Sequence, residues 1–433
     1  MTPLQYGILG LVALLVLLAG SMPVAFCMAA VGFVGFALVV SPHAATSMIS
    51  MDLFETFSSY SLTVIPMFVF MGQIAFHAGI SRRLFDVAYH WLGHLPGGLA
   101  MSTVGACTGF GAICGSGPAT AATMSAVALP EMKRYHYDPA MSCGTVAAGG
   151  SLGMLIPPSV VFIVYAILTE QSVGQLFIAG IVPGVLIAVL FCLTIYLQCR
   201  LKPSHGPAGP KFTFVQKLRS LTGVLETLIL FVVVIGGMFA GFFTPTEAAA
   251  VGAAGSVAIA AARGKLSVKM LIRSLQETIR TSCMVMIIVT GAVIFGHFLA
   301  VTRLPFELAT GLSELPLPGW VVMAMIILFY LIAGSFIDAL GLILLTIPIF
   351  YPVVMELGYD PIWFGVIIVV VTQMGVITPP VGVCVYVVSG MERDVPLQSI
   401  FRGAMPFLLA LVVAAALLML FPALCTFLPN QVG

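Results

Sequence analysis

Acidic and basic side chains are absent from the first 51 residues and sparse afterwards, so the chain reads as apolar runs separated by Gly, Pro and short basic loops. Gly20-Ser21 divides the opening stretch into two runs, which predict spans over residues 4–20 and 22–41, with a third over 62–78. A cleavable signal peptide normally starts with basic residues, and this start has none. Arg82-Arg83 closes the third run. Residues 84–95 then mix apolar and polar positions as an amphipathic helix lying along the interface would, with a counterpart at 305–315. Further runs at 221–241 and 246–262 predict a pair of spans that go out and return.

Two longer runs, 101–129 and 320–349, are interrupted where a simple span should be uniform. The first reads Gly111-Ala112-Ile113-Cys114-Gly115-Ser116-Gly117-Pro118-Ala119-Thr120 in its middle, and the second Gly334-Ser335-Phe336-Ile337-Asp338. Glycine and serine there release backbone groups, which at membrane depth are tolerated only when buried in protein or lining a cavity. The pattern predicts two re-entrant hairpins with internal tips; two ordinary spans joined by a surface turn are the alternative.

Behind each hairpin stands a run that cannot stay helical: Gly149-Gly150-Ser151-Leu152-Gly153 with Pro157-Pro158, and Thr372-Gln373-Met374-Gly375 with Thr378-Pro379-Pro380. A Pro-Pro pair removes two amide donors and drives the residue before each proline out of helical angles. Two helices broken in mid-membrane are therefore expected. Unwound carbonyls suit a hard cation, which takes oxygen ligands, while helix amino ends attract carboxylate. One hairpin tip facing one unwound helix, twice over, suggests two cation sites flanking one substrate site.

The two runs are related by a fixed spacing of 222 residues: Leu95-Pro96-Gly97 recurs as Leu317-Pro318-Gly319, Tyr137-Asp138-Pro139 as Tyr359-Asp360-Pro361, and Pro157-Pro158 as Pro379-Pro380. Paired halves whose apolar helices are broken by Gly and Pro at matching positions point to a transporter with its site between the halves.

Composition identifies the solvent. A chain that is 60% hydrophobic and 8% charged, with a mean hydropathy of +1.14, cannot present a water-compatible surface, so an all-α polytopic membrane protein is expected. At about 20 residues per span there is room for roughly a dozen spans and none for a soluble catalytic or nucleic-acid domain. Short cytoplasmic loops collect Lys and Arg. With the loop over 200–219 placed inside, and two hairpins that do not cross, Arg82, Arg83, Lys133, Arg134, Arg263, Lys265, Lys269, Arg273, Arg280, Arg393 and Arg402 fall inside and Arg303 outside. Both termini are then external and the two halves inverted, as in many secondary transporters.

Within membrane depth Asp338 is the clearest ionisable group, and it could steady a cation or cap the second hairpin arm. Glu247 in Thr244-Pro245-Thr246-Glu247 reads as an interfacial cap. His77, His94, His136 and His297 lack metal-ligand spacing, and the nine cysteines read as small buried hydrophobes. A membrane-embedded enzyme would need a nucleophile with a base. Neither Gly-x-Ser-x-Gly nor a His partner for Ser116 is visible, so no enzyme is expected.

The tip Gly115-Ser116-Gly117-Pro118-Ala119-Thr120-Ala121, the stretch from Gly149 to Ser159, Gly180-Ile181-Val182-Pro183-Gly184, Thr244-Pro245-Thr246-Glu247-Ala248-Ala249 and Gly375-Val376-Ile377-Thr378-Pro379-Pro380-Val381-Gly382 together resemble the large membrane subunit of tripartite ATP-independent periplasmic (TRAP) transporters, the DctM-like family. The resemblance spans nearly the whole chain. It implies an elevator-type, sodium-driven importer of organic acids in the bacterial inner membrane, with an ion-transporter-like arrangement of inverted repeats. A periplasmic binding protein would deliver the carboxylate substrate and a small four-helix membrane subunit would brace the moving part. Carried onto this chain, the family pattern places one Na+ among Gly115, Ser116, Gly149, Ser151 and Gly153, and another among Gly334, Ser335, Gln373, Gly375 and Thr378. Substrate would lie between the tips, near Ser116, Gly117, Pro118, Ser151, Pro158, Asp338, Thr378 and Pro380.

The resulting division is N-terminal scaffold spans (1–80), a first transport repeat (81–174), central scaffold spans (175–277), a second transport repeat (278–400) and a C-terminal span (401–433). The small subunit is expected as a separate chain. A stand-alone ion-coupled carboxylate symporter or antiporter, sharing hairpins and inverted halves, is the alternative.

Overall fold

A computed structural model describes residues 2–20, 22–313 and 318–432. Ser21 of the first break, the end of the 305–315 segment and Leu317 of the repeated motif lie outside the described residues. The described residues are helical or irregular throughout. The first spans are Pro3–Ala19, opened by a Thr2–Gln5 capping box, and Val24–Val39. The third is Val64–His77, entered through a short turn at Ser61–Thr63. Between them stands a helix the apolar pattern does not predict, Pro42–Ser58, bent 54° against the segment that follows. Its polar residues hid it, but Ser41 caps it through the Ala44 amide and Pro42 occupies its first turn.

The interfacial segment forms Ile80–Leu92, its counterpart Leu304–Ser313. Both long interrupted runs are helix–break–helix: Gly98–Cys114 with Gly117–Arg134, and Gly319–Gly334 with Ala339–Glu356. Each is followed by a broken helix, Pro139–Ser151 with Val160–Thr169, and Pro361–Gly375 with Val383–Met391. Between these sets lie Val173–Leu201, Leu225–Phe239, Pro245–Ala262 and Val268–Thr302, and Leu397–Leu420 comes after them. All four boundaries, at 80/81, 174/175, 277/278 and 400/401, fall inside helices, the first two within their opening turns.

Among the described residues five helices are long and apolar enough to cross a membrane, or seven if two bent pairs count as one span each, and six shorter apolar helices accompany them. The count falls short of a dozen full spans because breaks divide the apolar length. A 16- or 17-residue arm rises only about 24–26 Å, less than the roughly 30 Å hydrocarbon core.

The core centres on Pro361–Gly375, which is buried from Ile362 to Gly375 and therefore apolar on every side. Tyr165 donates to the Pro361 carbonyl at 2.6 Å and the Trp363 indole to the Leu418 carbonyl at 2.9 Å. Close backbone approach ties the long helices together. A Cβ on Gly32 would stand 2.8 Å from the Ile294 carbonyl oxygen, and Gly291 abuts the Ala25 backbone across the same contact. Gly144 and Gly403 bring Pro139–Ser151 equally close to Leu397–Leu420.

The repeated motifs meet within each half. Tyr137 accepts from the Leu99 amide at 3.2 Å, and the Tyr359 hydroxyl lies beside Gly319. Asp138 and Asp360 each cap the broken helix that follows, with Pro in its first turn.

Candidate functional site

The first hairpin turns at Gly115, whose φ of +64° lies in the left-handed region that glycine enters without strain. Ser116 is the N-cap of the second arm but makes no side-chain cap bond, and Pro118 sits in the first turn. The tip is laid against the broken helix behind it. The Gly115 carbonyl accepts from the Val160 amide at 3.3 Å, and the Ser116 carbonyl accepts from the Thr120 amide at 3.0 Å and its hydroxyl at 2.8 Å. A Cβ on Gly153 would come within 2.9 Å of the Ser116 carbonyl oxygen. The broken helix passes through a 3-10 turn at Leu152–Met154 and the cis Pro157-Pro158 bond, and Ser159 starts its second piece by accepting from the Phe162 amide.

The second hairpin repeats this contact with different residues. The Ser335 carbonyl accepts from the Val381 amide at 3.1 Å, just past the cis Pro379-Pro380 bond. Gly334 and Gly375 touch so closely that a Cβ on Gly375 would lie 2.5 Å from the Gly334 carbonyl carbon. The two arms are joined by a Tyr330–Thr346 hydroxyl bond. Asp338 caps the second arm through the Leu340 amide at 3.2 Å. The capping reading of this residue is thus what the geometry shows.

Both tips border one cavity of about 250 Å³. Cys114 to Ala119 form one wall and Asp338 to Leu340 another; Val69 and Gln73 of Val64–His77, and Thr281, Met284 and Val285 of Val268–Thr302, close it. Its single carboxylate is Asp338, and no Lys, Arg or His lines it. The amino ends of Gly117–Arg134 and Ala339–Glu356 both lie on this space; the first has no side-chain cap and directs partial positive charge toward it, while Asp338 takes the Leu340 amide of the second.

Of the residues expected around substrate, Ser116, Gly117, Pro118 and Asp338 line the cavity, and Ser151, Pro158, Thr378 and Pro380 do not. Pro158 borders a small separate void with Met71, Ile113 and Leu230, and Pro380 is exposed. Of those expected around cations, Gly115, Ser116 and Gly153 come together at the first tip, while Gly149 faces Cys107 of the first arm. Gly334, Ser335 and Gly375 meet at the second. Gln373 is fully buried there with neither amide atom hydrogen-bonded, and a buried unpaired amide is costly. Ser335, Thr378 and Ser151 hydroxyls donate to the carbonyls of Ile332, Met374 and Ala148. Their lone pairs stay free, so the donor set at the breaks is neutral oxygen, which suits a hard monovalent cation.

Sequence reasoning missed Gln73 and Thr281. Both stand in helices with no break; Gln73 is a polar residue in an apolar run, while Thr281, between Arg280 and Ser282, gave no such signal.

A family model described as the tripartite ATP-independent periplasmic transporter DctM component matches residues 11–424. The C4-dicarboxylate TRAP transporter large permease protein of Pseudomonas aeruginosa is 40% identical over 397 residues, covering 92% of each chain. The sialic acid TRAP transporter large permease protein of Vibrio cholerae is 32% identical over 96% of each. The isethionate TRAP permease DctMQ of Oleidesulfovibrio alaskensis is 34% identical over 84% of this chain, which spans 57% of that protein. Among solved structures, the YdaH transporter of Alcanivorax borkumensis shares the fold with a TM-score of 0.59 at 15% identity, over 88% of this chain and 89% of its own. With residues 11–424 matched by the family model and most of its length by permease subunits, this chain belongs to the DctM family, the large permease component of binding-protein-dependent TRAP secondary transporters.

Proposed function

We propose that this subunit imports an organic acid together with Na+ by an elevator motion, in partnership with a periplasmic binding protein and a small four-helix membrane subunit. The observation that carries the reading is the pair of helix amino ends bordering one cavity with no cationic side chain in its lining. A carboxylate is held there by backbone amides and helix dipoles. It binds at the first tip, where Ser116 leaves the end of Gly117–Arg134 uncapped. Asp338 already fills the equivalent place on the second tip. Sodium binds at the two breaks, one ion against the first tip near Gly153 and one near Gln373, and orders each tip against its broken helix. Acid and ion then move as one load.

Tip and broken helix are hydrogen-bonded to each other in both halves, which supports their moving as one block while residues 1–42 and 175–262 stay with the membrane. The motifs 222 residues apart support inverted repeats. Ion pairs support placing loops read as cytoplasmic on a common side, the side itself resting on the basic-loop rule: Arg83 and Arg263 share Glu226, and Lys133 reaches Glu392 and Asp394. That orientation places both termini in the periplasm. The isethionate permease DctMQ, of which this chain spans 57%, supports a further membrane component beside the part that this chain matches.

The test is uptake of radiolabelled acids into proteoliposomes holding this chain and its small partner, starting with C4-dicarboxylates and sialic acid because relatives carry those names. Uptake should require both an inward sodium gradient and the binding protein. Uptake unchanged when choline replaces sodium sinks the coupling; uptake without the binding protein moves the chain to stand-alone carriers.

A further inference from the structure

A second space, of about 430 Å³, is an open groove that ends beside the first tip at Ile113 and Pro157 and is lined almost wholly by apolar side chains, with Val185 and Leu228 in its walls more than half exposed. Its walls come from four places: Leu84 of the interfacial helix, Thr108 to Ile113 of the first hairpin arm, Ile181 and Val185 of Val173–Leu201, and Leu221 to Phe231. Ile156 and Pro157 close its deep end at the first helix break. The space is therefore elongated, running along the wall from Val224 to Phe231, a rise of about 10 Å, from the interface toward mid-membrane. An apolar groove that opens on the membrane side is filled by hydrocarbon in preference to water, and its volume is within the range of ligand sites.

The shallow end carries charge. Leu84 follows Arg82-Arg83, and Leu221 follows Lys217 and Arg219, so both helices that bring a wall to the interface carry basic residues next to that wall in sequence, with Arg83 donating to the Ala78 carbonyl at 3.3 Å. Lys217 lies over the Trp91 ring. The acids nearby are Asp86 and Glu226, and Glu226 is held by Arg263 at 2.8 Å and approached by Arg83 at 3.7 Å. The helix Phe214–Leu221 beside this rim has Phe214, Val215 and Leu218 exposed, more than half of each surface, while Lys217 turns inward. Its apolar side therefore faces away from the protein, as in a helix seated in the lipid interface.

We propose that the cavity holds one acyl chain of a phospholipid whose anionic headgroup is bound at the Arg83–Lys217–Arg219 rim. Apolar lining, depth and rim charge match the two ends of one such molecule, and no described element of the chain fills the space. Burial of the acyl methylenes holds the tail, and the basic rim selects charge.

The test is native mass spectrometry of the full chain, delipidated in detergent and then offered phosphatidylglycerol, phosphatidylcholine or inorganic phosphate. One phosphatidylglycerol should be retained at least tenfold over phosphatidylcholine, with phosphate alone giving no adduct and no displacement. Leu228→Trp, which fills the cavity from one wall, and Val185→Trp from another should each abolish retention while the variants elute as the parent does. Arg83→Gln with Arg219→Gln should bring the headgroup preference to within twofold and leave the lipid bound. No retained lipid, retention in both Trp variants equal to the parent's, or displacement by phosphate overturns the proposal.

Discussion

Gly375→Ala addresses the contact on which the second half of the site depends. The added methyl would lie 2.5 Å from the Gly334 carbonyl carbon, 2.6 Å from its oxygen and 2.7 Å from its Cα, all backbone atoms that cannot rotate away. Ordinary contact begins near 3.4 Å, so the tip must retreat by about 0.9 Å, and overpacking of this kind costs about 1–3 kcal/mol. Retreat also lengthens the Ser335–Val381 bond that seats the tip. If sodium orders the tip against the broken helix, the variant must supply that cost from ion binding, and sodium affinity should fall about 5–150-fold. The assay is initial uptake against sodium concentration in proteoliposomes, beside Gly390→Ala, which meets nothing within 4 Å and should behave as the parent does. A Gly375→Ala protein with a sodium half-saturation within twofold of the parent would refute the reasoning, because the tip would then tolerate displacement without cost to the ion.

Gly153→Ala should act alike in the first half, since its methyl would stand 2.9 Å from the Ser116 carbonyl oxygen; the same sodium titration reads it. Asp338→Asn keeps an acceptor for the Leu340 amide and should transport within about threefold of the parent, while Asp338→Ala loses a cap worth about 1 kcal/mol. A tenfold loss in the Asn variant would mean that its charge, not its cap, is needed. Gln373→Leu removes a buried amide with no partner, so thermal stability should hold or rise while sodium half-saturation increases about tenfold, a change of about 1.4 kcal/mol. Trp363→Phe leaves the Leu418 carbonyl without its indole donor and should cost about 1 kcal/mol, read as earlier thermal unfolding in detergent with substrate affinity unchanged.

The breaks at Gly115-Ser116, Gly334 to Asp338 and the two Pro-Pro pairs were legible in the amino-acid order because they follow from local backbone chemistry: glycine tolerates left-handed angles, and proline cannot donate. The same local rules place Asp138 and Asp360 as caps, and the apolar runs identify the spans between them. The helix Pro42–Ser58 escaped because its polar positions mask a signal that here lies in its cap. Tertiary packing alone decided which residues share the cavity. Gln73 and Thr281 arrive on helices more than 200 residues apart, and no local pattern records that distance. It also made the halves unequal: Pro157-Pro158 is buried while Pro379-Pro380 is exposed, because Leu230 and its neighbours cover only the first break. Backbone preference acts within a few residues and can be read along the chain; burial depends on which distant helix lies alongside, and that is settled only when the whole chain has packed.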